Sequence, residues 1–157
     1  MRKRVTALNF EGEYIAKLET KWEIVPQFVQ VEAHPYYPQE ELRKTLDKHG
    51  IRLMAWYPLG HGDKSLIEEP IFKKLGEKYG KTPAQVILRW HTQMGFAVIP
   101  GSKNAAHIKD NLDILDFTLT DAEMAKIAKL DKGVRYYNRT DAQLEQFAAW
   151  RPSFEQD

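Results

Sequence analysis

The sequence predicts an α/β protein built from parallel strand–helix units. Short apolar runs alternate with amphipathic helical patterns four times along the chain, which is typical of parallel βα units. A complete (β/α)8 barrel normally takes about 250 residues, and this chain has 157. The four units therefore predict either about half of such a barrel or an open doubly wound sheet. Because no linker or low-complexity tract divides the chain, we expect residues 1–157 to form a single domain.

Four apolar runs predict the strands, and each is followed by a helical pattern. The runs lie at 5–10, 28–31, 51–57 and 96–99, and a helix is expected around 14–22 after the first. Two helices are expected after the third run. Gly50 ends the helix that contains Leu42 and Leu46, and Pro70 and Gly80 begin and end the next helix. Thr82 with Pro83 begins the helix that contains Val86, Ile87 and Trp90. Asn104 begins the helix after the fourth run.

A further helix and an aromatic tail complete the chain. Thr120 and Glu123 form a capping box, which predicts the start of an outer amphipathic helix. The tail at 134–157 is rich in aromatic residues, and we expect it to pack over a surface. The expected helical face contains Met124, Ile127 and Leu130 and runs to Gly133, and the tail aromatics are Tyr136, Tyr137, Phe147, Trp150 and Phe154.

Composition and charge restrict the class of protein. The 23 Lys and Arg nearly balance the 22 Asp and Glu, so the sequence lacks the basic excess of a nucleic-acid-binding protein. No apolar run is long enough for a membrane span or a signal peptide. The absence of cysteine is typical of a reducing compartment, and we expect a cytoplasmic protein. No histidine pair has the spacing of a zinc-binding helix, and His49, His61 and His91 are expected at the surface or at helix ends.

The stretch VIPGSKNAAHIKDN at 98–111 has the pattern of an anion-binding loop. A short strand ends in small and cationic residues where a helix begins, and backbone N–H groups point outward at such a helix start. The residues alone do not identify the anion.

Several motifs together resemble the C-terminal half of the aldo-keto reductases, in bacterial-type members. They are VQVEAHPYYPQEEL, IRLMAWYPLGHGD, the run KTPAQVILRWHTQMGFAVIPGSKNAAHIKDNLDILDFTLTDAEM, and DKGVRYYN with FAAWRP. The resemblance covers the chain from about residue 5 onward. It implies half of a TIM barrel, an extended NADPH across the carboxyl ends of the strands, and carbonyl reduction by hydride transfer.

The resemblance also implies which residues contact the nicotinamide end of the cofactor. Asn9 and Gln30 match the side chains that bind the carboxamide, for which an amide offers both donor and acceptor. Trp56 matches the aromatic residue that stacks on the nicotinamide. Relatives usually carry Gly and Ser where this chain has Thr6 and Leu8, and a leucine lacks the serine hydroxyl.

The adenosine end is implied in the same way. By resemblance, a pyrophosphate loop, a 2′-phosphate site and an adenine site follow one another along the chain. These positions are Pro58, Leu59 and Gly60 for the pyrophosphate, Ser102 and Lys103 for the 2′-phosphate, Asp110 and Asn111 for the adenine amino group, and His107 where many relatives have an arginine. Since a neutral histidine pairs poorly with a phosphate, NADH stays open beside NADPH.

The catalytic Asp, Tyr, Lys and His of the family match no segment of this chain. His34, Tyr36 and Tyr37 belong to the HPYYPQ motif instead, which is not an acid–base pair. Two hypotheses follow. The chain is the NADPH-binding half of a reductase that acts on a small carbonyl substrate only when the missing half is supplied, or it is a non-catalytic half-barrel that binds cofactor weakly or not at all. In either case we expect a homodimer or larger homo-oligomer, because half a barrel exposes strand edges.

Overall fold

The computed structural model describes residues 6–8, 25–138, 140, 143 and 146, and its centre is a parallel sheet of four strands. The strands lie side by side in the order of the sequence, and each pairs with the next in parallel. Their bounds are β1 Thr6–Leu8, β2 Phe28–Glu32, β3 Arg52–Trp56 and β4 Ala97–Val98. This order is that of consecutive barrel strands, whereas a doubly wound sheet reverses its strand order. The prediction of parallel βα units in a partial barrel is therefore confirmed.

Six helices are described, and most begin or end at the predicted caps. Asn104, Thr82 and Thr120 each accept a backbone hydrogen bond at a helix start, and the last two form complete capping boxes. Gly50 and Gly80 follow their helices with φ near +65°, a conformation that glycine adopts readily. The bounds are α1 Glu40–Lys48, α2 Lys64–Glu68, α3 Pro70–Tyr79, α4 Pro83–Gln93, α5 Ala105–Leu112 and α6 Asp121–Ala128.

The hydrophobic core lies between one face of the sheet and the helices. Val29 and Val31 of β2, with Leu53 and Ala55 of β3, are buried on this face because side chains alternate along a strand. The helices contribute buried residues at helical spacing, which the apolar pattern predicted for α1 and α4. These are Leu46, Phe72, Leu75, Val86, Ile87 and Trp90.

Some boundaries differ from the sequence predictions. Helix α2 was not predicted, and it begins where Asp63 accepts a hydrogen bond from the backbone N–H of Ser65. Helix α6 ends at Ala128 rather than Gly133, because a turn through Leu130 replaces its last stretch. Strand β4 is shorter than the run at 96–99. The helix expected around 14–22 and the aromatic residues at 147, 150 and 154 lie outside the described residues.

The described residues cover the other face of the sheet only in part. Phe28, Gln30, Met54 and Trp56 alternate with the core residues and are half-buried. Within the described chain, β1 and β4 each pair on one side only. None of the described helices has the length and apolar character needed to cross a bilayer.

Candidate functional site

The carboxyl ends of β2 and β3 bring two predicted site residues onto one face. Gln30 is in register with Met54, and Glu32 with Trp56, so Gln30 and Trp56 are diagonal neighbours on adjacent strands. Both side chains are half-buried on the face opposite the core. The indole Nε1 of Trp56 is buried and has no hydrogen-bond partner among the described residues. Asn9, the other predicted carboxamide ligand, lies outside the described residues. The side chain of Leu8 and residues 9–24 also lie outside them.

A loop with left-handed backbone follows β3. Tyr57, Gly60, His61 and Gly62 all have φ between +52° and +84°. Such a loop turns tightly, and the Gly60 N–H donates to the Tyr57 carbonyl at 3.0 Å. The rings of Tyr57 and His61 stack with their centroids 3.7 Å apart. The loop therefore has a defined conformation beside the Trp56 ring.

A groove of about 440 Å³ opens between this loop and the end of β4. Its walls come from two segments that the sequence analysis assigned to one cofactor. The lining includes Trp56, Pro58, Leu59, Ile99, Pro100 and Gly101. Gly60 is buried within the loop, where a Cβ atom would lie 3.4 Å from the Asp63 carbonyl, and it does not line the groove.

The predicted phosphate and adenine residues follow the groove along the chain. Ser102 accepts a hydrogen bond from the Asn104 N–H at 3.0 Å, which orders the turn before α5. Lys103 and His107 are exposed, whereas Asp110 and Asn111 are half-buried. Because His107, Asp110 and Asn111 are three and four residues apart, they share one face of α5.

The segment 132–137, which we call the strap, crosses the carboxyl end of β2. The Tyr136 N–H donates to Glu32 Oε1 at 2.6 Å, and the Tyr137 N–H donates to Glu32 Oε2 at 3.0 Å. The Tyr137 ring lies edge-on to Trp56, with centroids 5.6 Å apart and planes at 72°. The Tyr136 hydroxyl donates to Asp63 Oδ2 at 2.9 Å. The expectation that the tail packs over a surface thus holds for Tyr136 and Tyr137.

Glu32 remains ionised in this buried position because it is surrounded by donors. Burial alone raises the pKa of a carboxyl, but the His34 side chain and the N–H groups of Tyr136 and Tyr137 outweigh it, so the pKa of Glu32 lies below its usual value. The His34 Nε2 is 2.9 Å from Glu32 Oε1 and donates to it. Glu32 is not among the site residues predicted from the sequence, although a carboxylate two residues before a histidine at a strand end was a usable signal.

The HPYYPQ motif forms a structural turn beside the strap. The Tyr36 hydroxyl donates to Glu69 at 2.6 Å, and burial together with that carboxylate raises the pKa of Tyr36 to about 12. Lys132 lies over the Tyr36 ring at 3.3 Å. The Tyr36 side chain therefore connects the motif to Glu69 and to Lys132 of the strap.

His91 lies at a helix end, as the sequence predicted for it. It occupies the last turn of α4, and its side chain is fully buried. Its ring nitrogens lie 2.8 Å from the Ile87 carbonyl oxygen and 3.0 Å from the Ala33 carbonyl oxygen. The side chain therefore connects α4 to the end of β2, since Ala33 follows that strand.

Comparison with known proteins identifies the family. The sequence profile of the Aldo/keto reductase family matches residues 4–132. The chain belongs to the aldo/keto reductase family. An aldo-keto reductase of Mycolicibacterium smegmatis is 46% identical over 127 residues, which are 81% of this chain and 46% of that protein. Methylglyoxal reductase DkgA of Escherichia coli is 37% identical over 133 residues, which are 85% of this chain and 48% of the enzyme.

A solved aldo-keto reductase structure has the same fold. The enzyme of Bombyx mori in complex with NADP superposes with a TM-score of 0.82 at 30% identity, over 89% of this chain and 48% of that one. The chain spans about half the length of the family members that it matches. In an aldo-keto reductase, the parallel sheet described above is part of a TIM barrel.

Proposed function

We propose that this chain binds a nicotinamide dinucleotide in the groove beyond β3 and β4, as part of an NAD(P)H-dependent carbonyl reductase. The observation that carries the proposal is the groove itself, because its walls join the loop after Trp56 to the segment that leads into Ser102 and Lys103. An aromatic plane, a tightly turned backbone loop and an exposed lysine suit a nicotinamide, a pyrophosphate and a ribose phosphate in turn. The bound NADP of the Bombyx mori relative supports this assignment.

Each predicted residue has a role in this proposal. Gln30, with Asn9, holds the carboxamide, and Trp56 stacks on the nicotinamide. The cofactor, when bound, supplies the hydride. The remaining contacts are Pro58 and Leu59 along the pyrophosphate, Ser102 and Lys103 at the 2′-phosphate, and His107, Asp110 and Asn111 at the adenine. Gly60 does not line the groove and instead allows the tight turn of the pyrophosphate loop.

The first test is a titration with NADPH and NADH that follows tryptophan fluorescence. We expect saturable quenching that is lost in Trp56→Ala, because the nicotinamide would lie against that ring. Lys103→Ala should weaken NADPH by about tenfold and leave NADH unchanged, since it removes a charged partner of the 2′-phosphate. Lys109→Ala is the matched control, because Lys109 is also an exposed lysine and lies on α5, the helix that follows Lys103. Absence of saturable quenching at millimolar cofactor would contradict the proposal.

Turnover is expected to need the family's catalytic Asp, Tyr, Lys and His, which match no segment of this chain. The name of the Escherichia coli relative points to small aldehydes as the substrate class. We expect this chain alone to bind NADPH without oxidising it in the presence of methylglyoxal. Oxidation at a rate above that of the protein-free mixture would contradict this part of the proposal.

A second candidate function is self-association as a half-barrel. Four large apolar side chains between β4 and α6 are exposed, and the β1 and β4 edges each lack a partner on one side within the described chain. The side chains are Ile99 (47% exposed), Ile108 (48%), Leu112 (77%) and Leu115 (72%). Light scattering should give the mass of a homodimer or larger oligomer, and Leu112→Glu should reduce that mass. A monodisperse wild-type monomer would contradict self-association.

A further inference from the structure

The strap is fastened by a carboxylate whose two oxygens are both used. Oε1 of Glu32 accepts from the Tyr136 N–H and from His34, and Oε2 accepts from the Tyr137 N–H. Glu32 is only 4% exposed, so water cannot readily replace these donors. Charge-assisted hydrogen bonds of this kind are stronger than neutral ones. The position of the strap therefore depends on an ionised side chain at residue 32.

The strap contacts both ends of the loop that lines the groove. At one end the Tyr137 ring packs edge-on against Trp56. At the other end the Tyr136 hydroxyl donates to Asp63, whose carboxylate also caps α2 through the Ser65 N–H at 2.8 Å. A displacement of the strap would remove a neighbour of the Trp56 ring and an anchor of the loop at the same time.

We propose that Glu32 is a positioning residue for the cofactor groove: it fixes Tyr137 against Trp56 and Tyr136 against Asp63, so that releasing the strap weakens nicotinamide cofactor binding. The proposal rests on the proposed function, in which Trp56 stacks on the nicotinamide. Glu32 itself is not placed in contact with cofactor and acts through the strap.

Glu32→Gln tests this because it keeps the size of the side chain. A glutamine has one acceptor oxygen and one NH2 group, so its NH2 must face either the Tyr136 N–H or the Tyr137 N–H. Two donors that face each other repel, and at least one strap hydrogen bond is lost. Glu123→Gln is the matched control, since Glu123 is also a buried carboxylate that accepts a backbone N–H, from Thr120 at 2.8 Å, but it lies on α6.

The first readout does not depend on cofactor. In protein labelled with 5-fluorotryptophan, the Trp56 resonance is assigned by its loss in Trp56→Phe. Tyr137→Leu should shift this resonance because the neighbouring ring is removed. Glu32→Gln should shift it in the same direction, and Glu123→Gln should leave it unchanged. An unshifted Trp56 resonance in Glu32→Gln would overturn the anchoring role.

The second readout is the NADPH titration. We expect Glu32→Gln and Tyr137→Leu each to weaken binding by about fivefold, a typical coupling between two sites, and the double variant to be no weaker than the single ones. A shifted resonance with unchanged affinity would overturn the link to cofactor. If the wild type binds no NADPH, both the proposed function and the effect of Glu32 on cofactor binding are contradicted. The fluorine spectrum still decides whether Glu32 holds the strap.

Discussion

The two faces of the sheet differ in what covers them. The core face carries Leu53 and Ala55 under the helices of the chain itself, and these side chains are almost completely buried. The opposite face carries Met54 and Trp56, which are half-buried, and among the described residues the strap covers its carboxyl end. Stability is thus concentrated on one face, and the candidate cofactor site lies on the other, where a ligand can reach it.

The sharpest test of this difference uses neighbouring residues on β3. Leu53→Ala should lower the free energy of unfolding by about 3 to 4 kcal/mol, because it leaves a cavity in the core. Met54→Ala should lower it by about 1 kcal/mol, since part of that side chain is already in water. Urea unfolding followed by circular dichroism measures both values. Equal costs would mean that the opposite face is also covered in solution.

A second test uses the pH dependence of the free energy of unfolding, to which the buried His91 contributes. Burial lowers the pKa of His91 to about 4, against the opposing effect of the Ala33 and Ile87 carbonyls. In the unfolded chain the ring takes up a proton near pH 6.5, whereas in the folded chain it stays neutral until about pH 4. The contribution of His91 to the free energy of unfolding should therefore be constant above about pH 6.5 and fall by about 3 kcal/mol as the pH drops to about 4.

Unfolding curves at a series of pH values check this prediction. His91→Gln should lose the part of the slope that belongs to this ring, whereas His107→Gln should keep it, because His107 is exposed on α5. The same slope in His91→Gln as in the wild type would contradict the prediction.

Close packing around α3 should make glycine more favourable than alanine at residue 76, against their usual helix propensities. Alanine is a better helix former than glycine, but a Cβ atom at Gly76 of α3 would lie 2.5 Å from the Lys81 carbonyl oxygen. Gly76→Ala should therefore destabilise the protein, by about 2 kcal/mol. Glu77→Ala, at the next and exposed position, should be nearly neutral. Thermal unfolding compares the two, and a more stable Gly76→Ala would show that α3 and α4 are less tightly packed.

The smallest expected effects distinguish α6 from α5. Thr120→Ala removes a capping box from a helix that buries Ile127, and it should lower the free energy of unfolding by about 1 kcal/mol. Asn104→Ala removes the cap of α5, which has no buried residue, and it should instead increase hydrogen exchange within that helix. A global loss of stability in Asn104→Ala as large as that in Thr120→Ala would indicate that α5 is packed in solution.

Local signals predicted most element boundaries. Pro70, Thr82 and Asn104 lie where helices begin, because a fixed φ or a side-chain acceptor acts on its own backbone. The end of α6 was predicted wrongly, since the apolar spacing continues through Leu130 although the backbone has already turned. Periodicity does not distinguish a helix from a turn that buries the same residue.

Among the site residues, too, those that depend on nearby sequence were predicted, and one that depends on a distant segment was not. Trp56, Pro58 and Leu59 are close in sequence, so their common place in the groove follows from one motif. Glu32 has one local donor, His34, but its two backbone donors are Tyr136 and Tyr137, more than one hundred residues later in the chain. The sequence therefore carried only part of the signal for this residue.

The sequence by itself determined the parallel βα units, the helix caps and the family motifs, because these depend on residues that are near one another along the chain. Only the tertiary structure decided that His91 is buried between α4 and the end of β2 and that the strap lies on Glu32. It also decided which face of the sheet the helices cover. These features depend on contacts between distant segments, and the positions of distant segments are set by packing rather than by local propensity.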